Sequence, residues 1–364
     1  MRIFVTGTRG IPDIPGGVEK HCQELYPLIA DAGHSVVVAT RTPYVKHRQA
    51  RWKNIALQHI YAPRIKSLEA IVHTFLAVIT ARRLKADIVH IHAVGPGLMV
   101  PFARLLGLKV VVTNHGPDYD RQKWGRAARF MLRAGEYLGA RFAGRVIVIS
   151  RVIQEIVRNR CNRPSRIIYN GVPVPNLSTG KDFLDRLGVA PGRYILAVSR
   201  FVPEKGLDLL VTAFQAARPD WKLVIAGDAD HDTAYSRKLK AMIDADDTII
   251  RTGYITGEPL NQVFTHAGLF VLPSYHEGLP IALLEAMSYG LSVLVSDIPA
   301  NLEVGLAEER YFKCGDADDL KEKLTHHLDF PITPEEKARF RRWIREKYNW
   351  HKIAQQTIQV YHEL

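Results

Sequence analysis

Three observations predict an α/β protein made of two doubly wound, Rossmann-like domains. Short runs rich in β-branched residues alternate with longer segments of helical periodicity. The alternation pauses at a Pro-rich stretch, 171–180, and then starts again. With 364 residues, 47% hydrophobic and 24% charged, the chain can bury two sizeable cores.

In the first half the predicted strands are 3–5, 36–39, 88–91, 109–113 and 146–149, each bounded by Gly, Asp, His or Asn. Helical periodicity fills the gaps at 18–32 and 68–84, which implies a parallel sheet covered on both faces. The second half repeats this grammar with strands at 194–198, 222–226, 248–251, 269–272 and 292–295, and helices at 207–218 and 280–289. Domains of 1–175 and 176–347 follow. Two such domains would place a ligand cleft between them, outside the carboxyl ends of both sheets.

Composition narrows the function class. No apolar run reaches the roughly 20 residues that span a bilayer, and the N-terminal stretch reads as a strand rather than a signal peptide. Cys22, Cys161 and Cys314 are widely separated and lack metal-ligand spacing, as expected of reduced thiols in the cytoplasm. Charge is uneven: residues 1–175 hold 27 Lys+Arg against 10 Asp+Glu, and the remainder 22 against 27. A basic first half suits an anionic partner, either nucleic acid or a membrane face. The segment 121–145 concentrates that charge, interleaving basic residues with Trp124, Phe130, Tyr137 and Phe142. Arg126, Arg129 and Arg133 would share one helix face, which fits an anionic membrane surface at the inner face of the cytoplasmic membrane. A solvated face over an apolar core side fits the same residues. No recognition module accompanies the charge, so nucleic acid is not expected.

The segment carrying most chemistry is 275–285. Glu277 and Glu285 flank Gly278-Leu279-Pro280, with Pro280 suited to a first helical turn. One carboxylate then stands at a helix mouth and the other about a turn and a half inside, with free backbone N–H groups between them. Acids of this kind bind hydroxyls and such amides bind phosphate; a sugar nucleotide carries both. Arg200 and Lys205 follow the strand 194–198 and could neutralise a diphosphate, although ordinary charges on a solvated loop would read the same way. Gly16 and Gly17 precede a helix and permit close approach of a phosphate, or else mark a strained turn. His115 ends a strand, with Asp118 just beyond; a lone His there is more often structural than catalytic, and its place facing the expected cleft raises the functional odds. Asp-x-Asp occurs at 118, 228, 244 and 316, too often to discriminate, and no cluster has metal-ligand character. No metal or other cofactor is expected.

Together these residues resemble glycosyltransferase family 4, the retaining, nucleotide-sugar-dependent enzymes of GT-B fold. Glu277 and Glu285 match the family's E-x7-E motif, and Arg200 and Lys205 match the Arg and Lys of its S-R-x-x-x-x-K-G segment. Gly16-Gly17 matches the glycine pair facing the donor phosphates, Asn170-Gly171-Val172 the N-G-V step before the linker, and Ala226-Gly227-Asp228 a glycine-rich turn. The stretch from Tyr348 looks like the C-terminal helix that crosses back onto the first domain, about 348–364. The opening from Gly7 to Glu19 looks like members that build bacterial surface polysaccharides. One departure is Gly278-Leu279-Pro280, where many relatives carry Gly-Phe-Gly or a similar trio.

The resemblance implies roles. Glu285 would bind the ribose hydroxyls, while Glu277 and the amides after it would hold the donor sugar, with Gly278, Leu279 and Leu283 among the donor-binding positions. Arg200 and Lys205 would stabilise the departing nucleoside diphosphate, Gly17 would offer an amide to the phosphates, and His115 would contact the sugar. Gly253-Tyr254 would meet the base. Transfer would proceed with retention by same-face attack, the leaving phosphate accepting the acceptor's proton. The expected function is transfer from a UDP- or GDP-sugar to a glycan acceptor, lipid-linked, in surface polysaccharide synthesis. The alternative is a sugar-nucleotide epimerase or hydrolase on the same fold.

Overall fold

The computed structural model describes residues 1–45, 49–65, 68–120, 125–330 and 332–364; Arg121, Lys123 and Trp124 of the basic segment lie outside them. The chain forms two units, Met1–Gly171 with Trp350–Leu364, and Val172–Asn349.

Unit 1 holds β1 (Arg2–Thr6), β2 (Ser35–Arg41), β3 (Arg51–Trp52), β4 (Ile55–Ile60), β5 (Ile88–His92), β6 (Lys109–Asn114), β7 (Arg145–Val148) and β8 (Arg166–Ile167). Their order is β3-β4-β2-β1-β5-β6-β7-β8, and only the β3–β4 pair is antiparallel. Ile3, Phe4 and Val5 are all fully buried, as befits a parallel strand covered on both faces. The core joins Val5, Val38, Val111 and Tyr26 to Ile353 and Tyr361 of the helix Trp350–His362, which packs on the helix Gly17–Asp31. Gly171 is needed beside that helix, because a Cβ there would sit 2.4 Å from the Trp350 ring.

Unit 2 holds β9 (Tyr194–Val198), β10 (Lys222–Ala226), β11 (Ile249–Gly253), β12 (Leu269–Leu272), β13 (Ser292–Ser296) and β14 (Tyr311–Phe312), all parallel. The order β11-β10-β9-β12-β13-β14 is the doubly wound arrangement in which winding reverses between β9 and β12. In unit 1 the reversal lies between β1 and β5. Ligands of such sheets bind outside the carboxyl ends of the strands at these points.

Side-chain caps occur in both units: Ser150, Thr233, Asp316 and Thr333 cap their helices with side-chain hydrogen bonds. Helices away from the switch points, such as Glu69–Arg83 and Gly257–Thr265, lack them. The helices that follow β1, β9 and β12, namely Gly17–Asp31, Leu207–Ala217 and Ile281–Tyr289, also have no side-chain cap. Pro280 stands one position before the last of these rather than within its first turn. Cys22 and Cys161 are buried and Cys314 half-buried, all three unbridged. No helix among the described residues is long and apolar enough to cross a membrane.

Candidate active site

The mouth of unit 2 is built by two segments pressed together. After β9 the backbone is held to the β10 loop by Ser199 N–H donating to Ala226 O and Phe201 N–H to Asp228 O, both at 3.1 Å. A 3₁₀ turn, Pro203–Lys205, then ends at Gly206 with φ of 60°. Only glycine fits there, since a Cβ would lie 2.2 Å from Pro273 O of the segment after β12. Tyr275 N–H donates to Glu204 O at 2.9 Å and ties the two segments directly.

That junction sets Lys205 Nζ 2.6 Å from Glu277 Oε1, with both side chains mostly buried. Ser274 Oγ donates to the same carboxylate oxygen at 2.7 Å. A cation so held cannot wander, so a phosphate arriving beside it meets a charge already in place. The start of Ile281–Tyr289, which has no side-chain cap, follows within four residues; Ile281 N–H is held by Leu279 O at 2.9 Å, and the next amides of that first turn can meet an anion. Glu285 sits half-buried in the second turn of that helix. Burial first, and the charges of Glu285 and Glu258 after it, push the Tyr289 phenol up to about 12.

The other expected residues of unit 2 are placed differently. Arg200 is exposed and pairs with Asp230 at 2.7 Å rather than joining Lys205. Gly253, at φ of 69°, accepts from Gly227 N–H at 2.9 Å, and Tyr254 beyond it is 72% exposed. Gly278 is half-buried, whereas the Leu279 and Leu283 side chains are in the core, so those two can meet a ligand only through the main chain. The Asp-x-Asp pairs have structural work: Asp228 binds Lys240, Asp244 binds Arg251, and Asp316 caps a helix.

The mouth of unit 1 is shaped by a buried carboxylate. Glu19 Oε1 accepts from Thr8 Oγ at 3.2 Å and from Arg9 N–H at 2.9 Å, which curls the β1 loop over the helix start. Gly16, at φ of 146°, lies against the same side chain, where a Cβ would come 2.0 Å from Glu19 Oε2. Gly17 opens the helix, and nothing lies within 4 Å of where its Cβ would be. Another buried acid, Glu136, accepts from Asn114 Nδ2 and Tyr119 OH, both at 2.9 Å, and fixes the loop carrying His115. Asp118 begins a 3₁₀ turn in that loop.

His115 is not a lone histidine. Its Nε2 is 2.9 Å from Nδ1 of His92 at the end of β5. His92 Nε2 reaches Tyr26 OH at 2.5 Å, Tyr26 OH reaches His90 Nδ1 at 2.9 Å, and His90 bonds to Tyr361 OH and Thr113 Oγ, each at 2.7 Å. His21 stacks edge-on against His115, ring centroids 4.9 Å apart. Burial holds all four imidazoles neutral: His21 is lowered to about 4 and His90 to about 3, with His92 and His115 also well below the usual value. The pattern His90-x-His92 at a strand end was a visible signal, since period 2 puts both rings on one face. His21 and Tyr26 gave none, because helix packing alone brings them in.

The helix Arg126–Phe142 turns a mixed face to solvent. Arg126, Arg129, Arg133 and Arg141 are exposed there together with Phe130, which is 73% exposed, Tyr137 and Phe142. The Arg133 guanidinium also lies 5.3 Å above the Tyr119 ring.

Residues 15–174 match the family described as Glycosyltransferase Family 4, and residues 187–348 match Glycosyl transferases group 1. An uncharacterized glycosyltransferase of Methanocaldococcus jannaschii is 26% identical over 99% of this chain and 98% of its own length. A GDP-mannose:cellobiosyl-diphosphopolyprenol alpha-mannosyltransferase of Xanthomonas oryzae is 28% identical over 76% of this chain and 74% of its own. Among solved structures, the sucrose-phosphate synthase of Thermosynechococcus elongatus superposes with a TM-score of 0.85 at 22% identity, covering 100% of this chain and 98% of that one.

Proposed function

The chain belongs to the family 4 glycosyltransferases, transferases of GT-B fold, and from that premise we propose that it moves a sugar from a UDP- or GDP-sugar to a lipid-linked glycan with retention of configuration. The observation that carries this reading is the Lys205–Glu277 pair at the switch point of unit 2, 2.6 Å apart beside a helix start with no side-chain cap. Lys205 and the amides after Ile281 take the diphosphate, Glu277 the sugar hydroxyls and Glu285 the ribose. Arg200 exchanges Asp230 for phosphate oxygens. Gly253 and Tyr254 take the base. In unit 1, Gly16 and Gly17 offer backbone to the phosphates and His115 contacts the transferred sugar.

Charge development explains the chemistry. As the glycosidic bond to phosphate lengthens, the diphosphate gains negative charge while the sugar carbon becomes electron-poor. A preplaced ammonium and preplaced amides stabilise that change with little reorganisation. The departing phosphate oxygen then accepts the acceptor hydroxyl's proton on the same face, so no enzymic nucleophile and no metal is required.

Support for a lipid-linked acceptor comes from the diphosphopolyprenol substrate named for the Xanthomonas relative and from the Arg126–Phe142 face. Basic residues beside exposed aromatics suit an anionic bilayer, each cation contributing about 1 kcal/mol near the surface. On this reading the enzyme works at the cytoplasmic face of the membrane in surface polysaccharide synthesis.

Thermal-shift titration with UDP-, GDP- and ADP-sugars tests the donor, because a ligand that binds only the folded chain raises its melting temperature. Transfer that persists in excess chelator is the expected result with the preferred donor. Strict dependence on Mg²⁺ or Mn²⁺ would overturn the metal-free reading. Donor hydrolysis or epimerisation faster than any transfer would favour the alternative enzyme class. Arg126, Arg129 and Arg133 changed together to Gln should reduce co-sedimentation with anionic vesicles and leave donor binding intact; unchanged sedimentation would return that helix to an ordinary solvated face.

A further inference from the structure

His21, His92 and His115 each offer one ring nitrogen, and these three atoms all lie within 4.8 Å of one another. They come from three elements: the helix Gly17–Asp31, the end of β5 and the loop after β6. Ring centroids are separated by 5.5 Å for His21–His92, 4.9 Å for His21–His115 and 5.2 Å for His92–His115. Three imidazoles bound at about 2.0–2.1 Å to one tetrahedral ion hold their centroids about 5.2 Å apart. The rings already stand at that spacing.

Two further observations favour a ligand over simple packing. His21 is buried; the Asn170 side chain is a polar neighbour of its ring, and its Nδ1 makes no direct hydrogen bond among the described residues. His92 has the outer support that metal-bound histidines have, with its second nitrogen on Tyr26 OH, itself bonded to His90. His115 is the partly exposed member, which gives an ion a route in and leaves the fourth coordination position open.

We propose that His21, His92 and His115 form a three-histidine site for a zinc-like divalent transition metal, separate from any metal need of the transfer reaction. Without metal, one proton lies between His92 Nδ1 and His115 Nε2. Metal binding needs a lone pair on both. The proton therefore moves to the far nitrogen of one ring, and for His92 this is Nε2, where the Tyr26 oxygen accepts it. A set of neutral imidazoles selects zinc, cobalt or copper over magnesium or calcium, which prefer oxygen ligands. Its consequence for catalysis, competition between metal and sugar at His115, rests on the sugar contact proposed above; the binding does not.

Untagged full-length protein, stripped with chelator, is titrated with Co²⁺ and then Zn²⁺. The expected result is the visible absorption of a tetrahedral nitrogen-ligated Co²⁺ at about one ion per chain, displaced by Zn²⁺. His21→Gln and His115→Gln, each checked for folding by circular dichroism, should weaken Zn²⁺ binding by about tenfold or more. Those positions lie on different elements, so either variant alone suffices if the other misfolds. Wild-type protein that binds well under one equivalent, an octahedral cobalt spectrum, or unchanged affinity in a folded variant would overturn the site.

Discussion

The two units wind their sheets by the same rule and finish their switch points with opposite chemistry. In unit 2 the point between β9 and β12 is ionic, with Lys205 on Glu277, and Arg200, after the same β9, pairs with Asp230. In unit 1 the point between β1 and β5 is a buried network of uncharged imidazoles and hydroxyls running from His115 to Tyr361. Topology fixes where a ligand can sit; side chains decide what it must be. One mouth suits an anion that arrives with a diphosphate. The other offers uncharged imidazoles and hydroxyls, which hold a ligand by hydrogen bonds or by ring-nitrogen lone pairs.

The strongest way to break this contrast is to remove the fixed cation. Lys205→Ala should lower transfer by about 10²-fold or more if that ammonium stabilises leaving-group charge. Turnover measured with saturating donor decides it, and a near-normal rate would end the role. The matching lesion in unit 1 should act on stability. Glu136→Ala removes the carboxylate that accepts from Asn114 Nδ2 and Tyr119 OH and should cost about 2–3 kcal/mol in denaturant unfolding, the range for losing a charged buried hydrogen-bond partner. Hydrogen exchange should report that loss in unit 1 segments first, and a uniform loss would contradict it.

The smallest expected effect is on pH dependence, and it sharpens the comparison. His73 is fully buried, and burial first, then the neighbouring Arg41, lowers it to about 3. The unfolded chain binds a proton there below about 6.5, while the folded chain stays neutral down to about 3. Stability therefore falls as pH drops through that window and is retained above it. Acids of unit 2 such as Asp228 and Asp244 are instead lowered from 3.8, chiefly by hydrogen bonds from Lys240 and Arg251, so they hold their charge further into acid than free carboxylates do. Melting temperatures between pH 7 and 4 should decline less in His73→Leu than in the wild type. Parallel curves would remove His73 from the account.

Legibility followed the range of the interactions involved. Strands such as 194–198, 222–226 and 269–272 were readable to the residue, because a doubly covered parallel strand needs an unbroken apolar run. β4 was missed because Gln58 and His59 interrupt its run, and β3, β8 and β14 because two residues give no period. At the site, the Glu277–Glu285 spacing and the Lys205 turn were local and therefore visible. Their direct pairing was not, since it depends on Gly206 packing against Pro273. Arg200 was grouped with Lys205 by sequence nearness, yet it pairs with Asp230 of the loop after β10. The histidine cluster was the least legible: His90-x-His92 marks one strand face, but His21 and His115 join it only when β5, β6 and a helix meet.

The return of Trp350–His362 to unit 1 has a consequence for how the chain is made. Unit 1 is encoded in two pieces with all of unit 2 between them. Ile353, Val360 and Tyr361, which seal the first core, are translated only after residue 349. Domains tend to fold in order of synthesis. Here the unit begun second can close its core while the one begun first still exposes the face of Gly17–Asp31. During that interval the nascent first unit presents a ready-made seat for an amphipathic helix, filled only when its own Trp350–His362 emerges.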